Sequence, residues 1–234
     1  RLSPSSSEAL IRVNDGALVN KGLEFDLTTH IVKNKNYSLS IAINGEILKN
    51  ELTAMPIETA TGLQKILDQS GNYGRSKGHS LYDFYVREWA GVDVDNGNPL
   101  WNQYYFDAND NNTLDTDEAI TSLTQYQNDN PNNTNIKKTT TSVYANATQK
   151  YTGHSAIPDV RGAFRLNAKI KNFDFSTQFT YSLGGYAYDA AYASLMTNAQ
   201  IGSNNWHTDI RNSWKEPGDI TDVPKSISAI NPQV

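Results

Sequence analysis

The 234-residue chain contains no cysteine. That excludes a disulfide scaffold, a thiolate zinc site and a cysteine nucleophile. Charge is also sparse: 19% of residues are Asp, Glu, Lys or Arg, against about a quarter in an average soluble domain. The apolar share is low as well, at 38%. No apolar run approaches the ~20 residues of a transmembrane helix. A helical membrane protein is thereby excluded, but a membrane barrel is not, because its strands hide their lipid face in alternation. The net charge is −5, with acids and bases dispersed. No basic stripe exists for a phosphate backbone, so nucleic acid is not an expected partner. His30, His79, His154 and His207 lie far apart, none in a metal-ligand spacing. No nucleophile elbow, phosphate loop or dinucleotide fingerprint occurs, and nothing marks a carboxylate pair for glycoside hydrolysis. No enzymatic activity is expected. The chain opens on Arg1 rather than Met, so it reads as processed or incomplete, and no leader can be judged from it.

What the chain does have is regular placement of its apolar residues. After a Ser/Pro-rich loop at residues 3–7, Leu23, Phe25, Leu27, Thr29 and Ile31 alternate with Glu24, Asp26, Thr28 and His30. A polar turn at residues 32–36 leads to a second run. There Tyr37, Leu39, Ile41, Ile43 and Ile47 fall on one face, opposite Ser38, Ser40, Ala42, Asn44 and Glu46. Period-two alternation predicts strands over 22–31 and 37–47, joined as an antiparallel hairpin.

A second hairpin is more regular. Val160, Gly162, Phe164, Leu166, Ala168 and Ile170 alternate with Arg, Ala, Asn and Lys. Beyond a turn near Lys171, Phe173, Phe175, Thr177, Phe179, Tyr181 and Leu183 alternate with Asp174, Ser176, Gln178, Thr180 and Ser182. Each strand covers about 11 residues, or roughly 36 Å. Tilted near 45°, that is about 25 Å of height, the apolar band of an outer-membrane barrel. A soluble sandwich also alternates, but its strands are commonly half as long. On pattern alone both readings stand.

The segment between the hairpins differs. Residues 55–70 suggest a short helix, with Pro56 in its first turn, an apolar stripe of Ala60, Leu63, Ile66 and Leu67, and Gly71 at its end. Residues 80–106 are aromatic and strand-like. Tyr82, Tyr85, Trp89, Trp101, Tyr104 and Tyr105 are the candidate substrate-facing rings, with packing or an aromatic girdle as the plainer role. Residues 128–135 form a polar turn-rich loop, and residues 184–234 read as loops with brief order.

The sharpest local motif starts at Asp107. Asp107, Asn109, Asn111, Thr113, Asp115 and Glu118 occupy positions 1, 3, 5, 7, 9 and 12 of an EF-hand-type loop, which wraps oxygen ligands around one Ca²⁺. Asn112 replaces the usual Gly at position 6, and Asn tolerates left-handed backbone. The plain alternative is a solvated Asp/Asn-rich loop. The residues before it look strand-like, so a helix-loop-helix is not expected.

Four stretches, in this order, resemble the SusC/RagA family of TonB-dependent transporters. Gly16-Ala-Leu-Val-Asn20-Lys21-Gly22-Leu-Glu24 is similar to the family's N-x-G-x-x-N-K-G-x-E. Tyr82-Asp-Phe84-Tyr85, then Ala90-Gly91-Val92-Asp93 and Asn96-Gly97-Asn98-Pro99-Leu100-Trp101, is similar to F-Y-x-x-x-x-A-G-V-D-x-x-T-G-x-P-L-Y/W. Gly153-His-Ser155-Ala-Ile-Pro158, Arg161-Gly162 and the closing Tyr181-Ser-Leu-Gly184-Gly185 are similar to x-G-x-S-x-P-x-x-x-G-G-F and Y-x-x-G-G. Trp214-Lys-Glu-Pro217-Gly218-Asp219-Ile-Thr-Asp222-Val-Pro224 is similar to W-x-x-P-G-D-x-T-D-x-P. The departures are Ala163 where the family often has a second Gly, and Ser213 where Arg often precedes Trp.

The resemblance implies an all-β fold: an antiparallel transmembrane β-barrel segment, part of a barrel of about 22 strands with long extracellular loops. Residues 1–234 would be a partial C-terminal barrel region, with the plug domain and the final strands outside this chain. It implies TonB-driven import of glycan or oligopeptide across a Bacteroidetes-type outer membrane. The implied partners are a SusD-like surface lipoprotein acting as a lid, outer-membrane lipid, and TonB, reached through the N-terminal region. No cofactor is required, with Ca²⁺ the one candidate ion. The competing reading is a secreted, calcium-stabilised β-rich adhesin or glycan-binding module.

Overall fold

The computed structural model describes residues 15–196 and 205–226; residues 3–7, expected as loop, lie outside them. Strands β1 (Ala17–Lys33) and β2 (Tyr37–Ala54) form a hairpin. Short strands β3 (Asp68–Ser70), β4 (Tyr73–Arg75), β5 (Asp83–Arg87), β6 (Trp89–Val92), β7 (Pro99–Phe106) and β8 (Ala119–Ile120) follow. Then come helix α1 (Leu123–Asp129), β9 (Ile136–Thr141), β10 (Gln149–Ser155), the hairpin β11 (Val160–Ile170) and β12 (Phe173–Leu183), and helix α2 (Ala190–Met196). Among the described residues no helix is long and apolar enough to cross a membrane. Two compact units divide the chain at residues 84/85, 152/153 and 186/187.

The first unit holds a four-stranded antiparallel sheet ordered β1-β2-β11-β12. The two hairpins read in the sequence are therefore neighbours, although residues 55–159 separate them. Register carries the alternation across all four strands. Leu27, Ile43, Phe164 and Phe179 form one transverse row, and Thr29, Ile41, Leu166 and Thr177 the next. On the opposite face Thr28, Ala42, Arg165 and Gln178 form a row, as do His30, Ser40, Asn167 and Ser176. Because side chains alternate, a one-residue slip would exchange the faces. The aliphatic and aromatic rows pin this register together.

Both turns lie at the same rim. Asn34 Oδ1 accepts the backbone N–H groups of Asn36 and Tyr37 at 3.0 and 2.8 Å, closing the first. Lys171, in left-handed backbone with φ 56°, makes the second. The N–H of Lys171 donates to Asn36 O at 2.6 Å and ties the turns to each other. The inserted residues 55–159 leave β2 and return to β11 at the other rim.

The first hairpin departs from expectation in two ways. A register shift between His30 and Val32 takes Ile31 out of the apolar row, and Val32 takes the place opposite Leu39. The strands also extend to 17 and 18 residues, about 60 Å if straight. Their added length meets the segment 76–84. Leu52 N–H donates to His79 O, and Gly78 N–H to Leu52 O, both at 2.8 Å. Asn50 is buried there. Its Oδ1 accepts from Ser80 Oγ and Leu81 N at 2.9 Å each, while its Nδ2 donates to Asn20 Oδ1 at 2.6 Å.

The helix expected over residues 55–70 does not form. An isolated bridge joins Ile57 and Gln64, around a turn in which Gly62 N–H donates to Glu58 O at 2.8 Å. Gly62 has φ 71°. Two threonines and a left-handed glycine cost more helix stability than a four-residue apolar stripe returns. Leu63, the intended centre of that stripe, is exposed.

In the second unit β7 is central. It pairs β9 along Trp101↔Thr141 to Phe106↔Ile136 on one side, and β6 and β8 on the other. Its residues alternate between buried and half-buried along the whole strand. Trp101, Tyr105 and Ile120 lie buried there. The Trp101 ring meets Trp89 and Tyr144 edge-on, at centroid distances of 5.8 and 5.2 Å. Helix α1, not foreseen, starts where Ser122 Oγ accepts the N–H of Gln125, the N-cap arrangement.

Candidate site: a two-faced ribbon and its loops

The apolar rows of the four-stranded sheet are not covered. Phe173, Phe175 and Phe179 are 82%, 59% and 62% exposed, and Leu23 is 67% exposed. Among the described residues no second sheet or helix of the same unit packs over them. Contiguous apolar surface of this extent marks an interaction or membrane face rather than an ordinary soluble surface. The opposite face is polar, and several of its groups pair with one another. Arg161 pairs with Glu46, and Arg165 Nη2 donates to Gln178 Oε1 at 2.6 Å. Ser176 Oγ donates to Asn167 Oδ1 at 2.7 Å.

Two glycines on the apolar face make room for rings. Gly45 lies opposite Phe25 and Gly162, and Gly162 lies opposite Tyr181. A Cβ at Gly45 would come within 2.7 Å of Phe25 Cε1 and 2.8 Å of Tyr181 Oη. Tyr181 crosses the two glycines and donates its hydroxyl to Asn44 O at 3.0 Å. The ring fills the side-chain gap that a strand glycine leaves.

The loop after β7 is closed by local side-chain-to-backbone hydrogen bonds. Asp107, buried, accepts the N–H groups of Asn111 and Asn112 at 3.0 Å each. Asn109 Oδ1 accepts from Asn111 N at 3.1 Å, and Asn111 Oδ1 from Thr113 N at 2.7 Å. Glu118 closes the loop, its two carboxylate oxygens accepting from Ala108 N and Asp115 N at 3.0 Å each. The side-chain amides of Asn109 and Asn111 converge on Asp115 Oδ2 at 2.9 and 2.8 Å. Asn112 has φ 59°, the left-handed turn for which glycine is usual at that position. Burial pushes the Tyr105 phenol up, and the carboxylates of Asp107, Glu118 and Asp115 push it further. Among the described residues no three His, Cys, Asp or Glu side chains form a ready-made metal cluster. Carboxylate, amide and carbonyl oxygens are the donor types a hard cation takes; here those of Asp107, Asn109, Asn111, Asp115 and Glu118 accept the loop's own hydrogen bonds. Asn135 clamps the loop from outside, its Nδ2 donating to Asp107 O at 2.7 Å and Asp110 Oδ1 at 2.6 Å.

The six candidate substrate-facing rings separate by exposure. Tyr85, Trp101 and Tyr105 are buried and spend their faces on packing. Tyr85 also meets Tyr151 at 4.9 Å and shares a 2.8 Å hydrogen bond with Ser122 Oγ. Trp89 and Tyr104 are half-buried, and Tyr82 is exposed. Lys150, beside Tyr104, bonds Glu88 at 2.9 Å. Burial lowers its ammonium pKa, but the hydrogen bond and charge of Glu88, with Tyr104, raise it above its ordinary value overall.

The Trp-x-x-Pro-Gly-Asp stretch packs against the Asn-Gly-Asn-Pro stretch. Trp214 Nε1 and Gly218 N donate to Val94 O at 3.1 and 2.9 Å. Lys225 N donates to Gly97 O at 2.9 Å. The Trp214 ring lies where a Cβ on Gly97 would be. Asp219 Oδ2 accepts the N–H groups of Lys215 and Glu216 at 2.9 and 3.1 Å, and these two bonds hold its carboxyl below the usual range.

No protein-family model matches the chain. The chain is 25% identical over 233 residues to the TonB-dependent receptor P3 of Formosa agariphila, a match covering 91% of this chain and 19% of that receptor. Solved structures of the RagAB peptide transporter and of the RagAB peptide importer in its closed-closed state share its fold, with TM-scores of 0.62 and 0.64. Each is 24% identical and covers 90% of this chain and 20% of its own. The chain therefore spans about a fifth of the length of the relatives it matches. The resemblance read from the four sequence stretches stands over nearly the whole chain.

Proposed function

We propose that this chain forms part of the wall and the surface loops of an outer-membrane TonB-dependent nutrient importer. One observation carries the reading: strands long enough to cross a bilayer present uncovered apolar rows on one face and paired polar groups on the other. The similarity to a TonB-dependent receptor supports it. In this reading the apolar rows meet lipid and the polar rows line the lumen. The residues between the hairpins build the extracellular side, since short turns mark the periplasmic rim of such barrels. A glycan or oligopeptide is the cargo, a SusD-like lipoprotein the lid and TonB the energy source. The location is a Bacteroidetes-type outer membrane. The test is fractionation of the native protein. It should sediment with outer membrane, resist salt and alkaline washing, and require detergent. Recovery in the aqueous fraction would overturn the reading and favour a secreted module.

Calcium belongs to this reading as a structural ion of the extracellular side. Asp107, Asn109, Asn111, Thr113, Asp115 and Glu118 would hold it and stiffen the β7–β8 connection. Titration calorimetry should detect binding in the range of extracellular modules, about 10⁻⁴–10⁻³ M, lost in Asp107→Ala. Equal thermal stability in calcium and in chelator, with no heat of binding, would remove the ion from the account.

A further inference from the structure

The charge on the membrane ribbon is not evenly spread along its length. Lys33 and Lys169 flank Ser38 on adjacent strands of the polar face at the turn rim. Lys35 and Lys171 occupy the two turns themselves, which the Lys171 N–H bond to Asn36 O holds side by side. Among the described residues Lys169 pairs with Asp174, at 4.0 Å. Immediately beside the lysines on the apolar face, Tyr37, Ile170 and Phe173 form the last transverse row. Tyr37 and Phe173 are both exposed. Lys33 and Lys169 face the lumen in the barrel reading, whereas Lys35 and Lys171, at the strand ends, can carry their cationic heads on flexible stems to the level above these rings, where a bilayer passes from acyl chain to headgroup.

We propose that this rim binds the headgroup of an anionic phospholipid in the periplasmic leaflet, with its phosphate between Lys35 and Lys171 and its acyl chains along Phe173 and Phe175. The proposal rests on the barrel reading, which sets the apolar rows in lipid and the turns on the periplasmic side. Charge complementarity selects the occupant: the two turn lysines, Lys35 and Lys171, favour a net negative headgroup over a zwitterionic one.

The experiment uses the full-length native protein, inserted into vesicles of phosphatidylcholine alone or phosphatidylcholine mixed with phosphatidylglycerol. Lipid retained after gentle detergent extraction is then measured by mass spectrometry. The wild-type protein should retain phosphatidylglycerol out of proportion to its share of the bilayer. Lys35→Gln with Lys171→Gln should lower that enrichment roughly five-fold per lysine, while heat-modifiable migration shows the barrel still folded. Lys49→Gln, whose charge Glu51 already answers at 2.9 Å, should keep it. Insertion with no phosphatidylglycerol enrichment, or enrichment unchanged in the double variant, would overturn the proposal and leave the barrel reading intact. Failure to insert into vesicles of either composition would overturn both.

Discussion

At the scale of single residues, Gly45, Gly162 and Tyr181 form the most constrained local arrangement. Because a Cβ at Gly162 would overlap Asn44 O and the Tyr181 ring, Gly162→Ala should displace the ring. The expected loss is about 1–3 kcal/mol, the usual range for overpacking, read as a lower urea midpoint of the folded protein in detergent. Tyr181→Phe keeps the ring and removes only its hydrogen bond, so it should cost about 1 kcal/mol. Asp219 gives a pH prediction. Its folded-state carboxyl is lowered, so the stability it contributes is complete above the unfolded value of about 3.9 and declines as pH falls through the folded value. Amide exchange at Lys215 and Glu216, corrected for its intrinsic pH dependence, should therefore accelerate only in that acid range. Acceleration near neutral pH would show that other contacts hold the turn. These roles were only partly legible in the sequence. The spacing from Asp107 to Glu118 marked this loop as an oxygen-rich turn, and its hydrogen bonds are local. The burial of Tyr85, Trp101 and Tyr105 was not legible. An aromatic residue reads the same whether its ring faces solvent or a neighbouring strand, and the partners Tyr151, Tyr144 and Ser122 are distant in sequence.

At the scale of elements, strand alternation was the reliable signal and helix periodicity the unreliable one. β11 and β12 occupy the residues expected of them, since the period of two runs through both with few breaks. The upper part of β2 escaped notice because alternation breaks at Leu48. There the strand leaves the apolar band and meets the segment 76–84, so long-range contacts rather than pattern hold it extended. The short helix expected after Met55 lost to Gly62, and α1 arose from a Ser122 cap in a stretch with no apolar stripe. Element-scale energetics separate the two faces. Phe179 lies near the middle of β12 on the apolar side and Thr180 next to it on the polar side. Phe179→Arg should destabilise the folded barrel by about 2–4 kcal/mol, the midplane cost of a lipid-facing arginine. Thr180→Arg, on the polar face, should leave it nearly unchanged. Equal costs for the pair would mean that the two faces share one environment.

At the scale of the molecule, the four family-like stretches lie at turns and close approaches within the two units. Asn20 is tied to the buried Asn50. Gly97 makes room for Trp214, while Gly184 (φ 84°) lies beside Asp159, whose N–H donates to Leu183 O at 2.9 Å. At each of these places a particular residue meets a turn or a close approach. The central claim is that one face of the β1-β2-β11-β12 sheet lies in lipid and the other in water. Single cysteines placed in turn from Ser176 to Tyr181, in a chain without a cysteine of its own, test it directly in intact outer membranes. Thr177, Phe179 and Tyr181 should resist a water-soluble maleimide and react with a lipid-soluble one, while Ser176, Gln178 and Thr180 should react with the water-soluble reagent. Uniform labelling of all six positions, or protection of all six from both reagents, would contradict it.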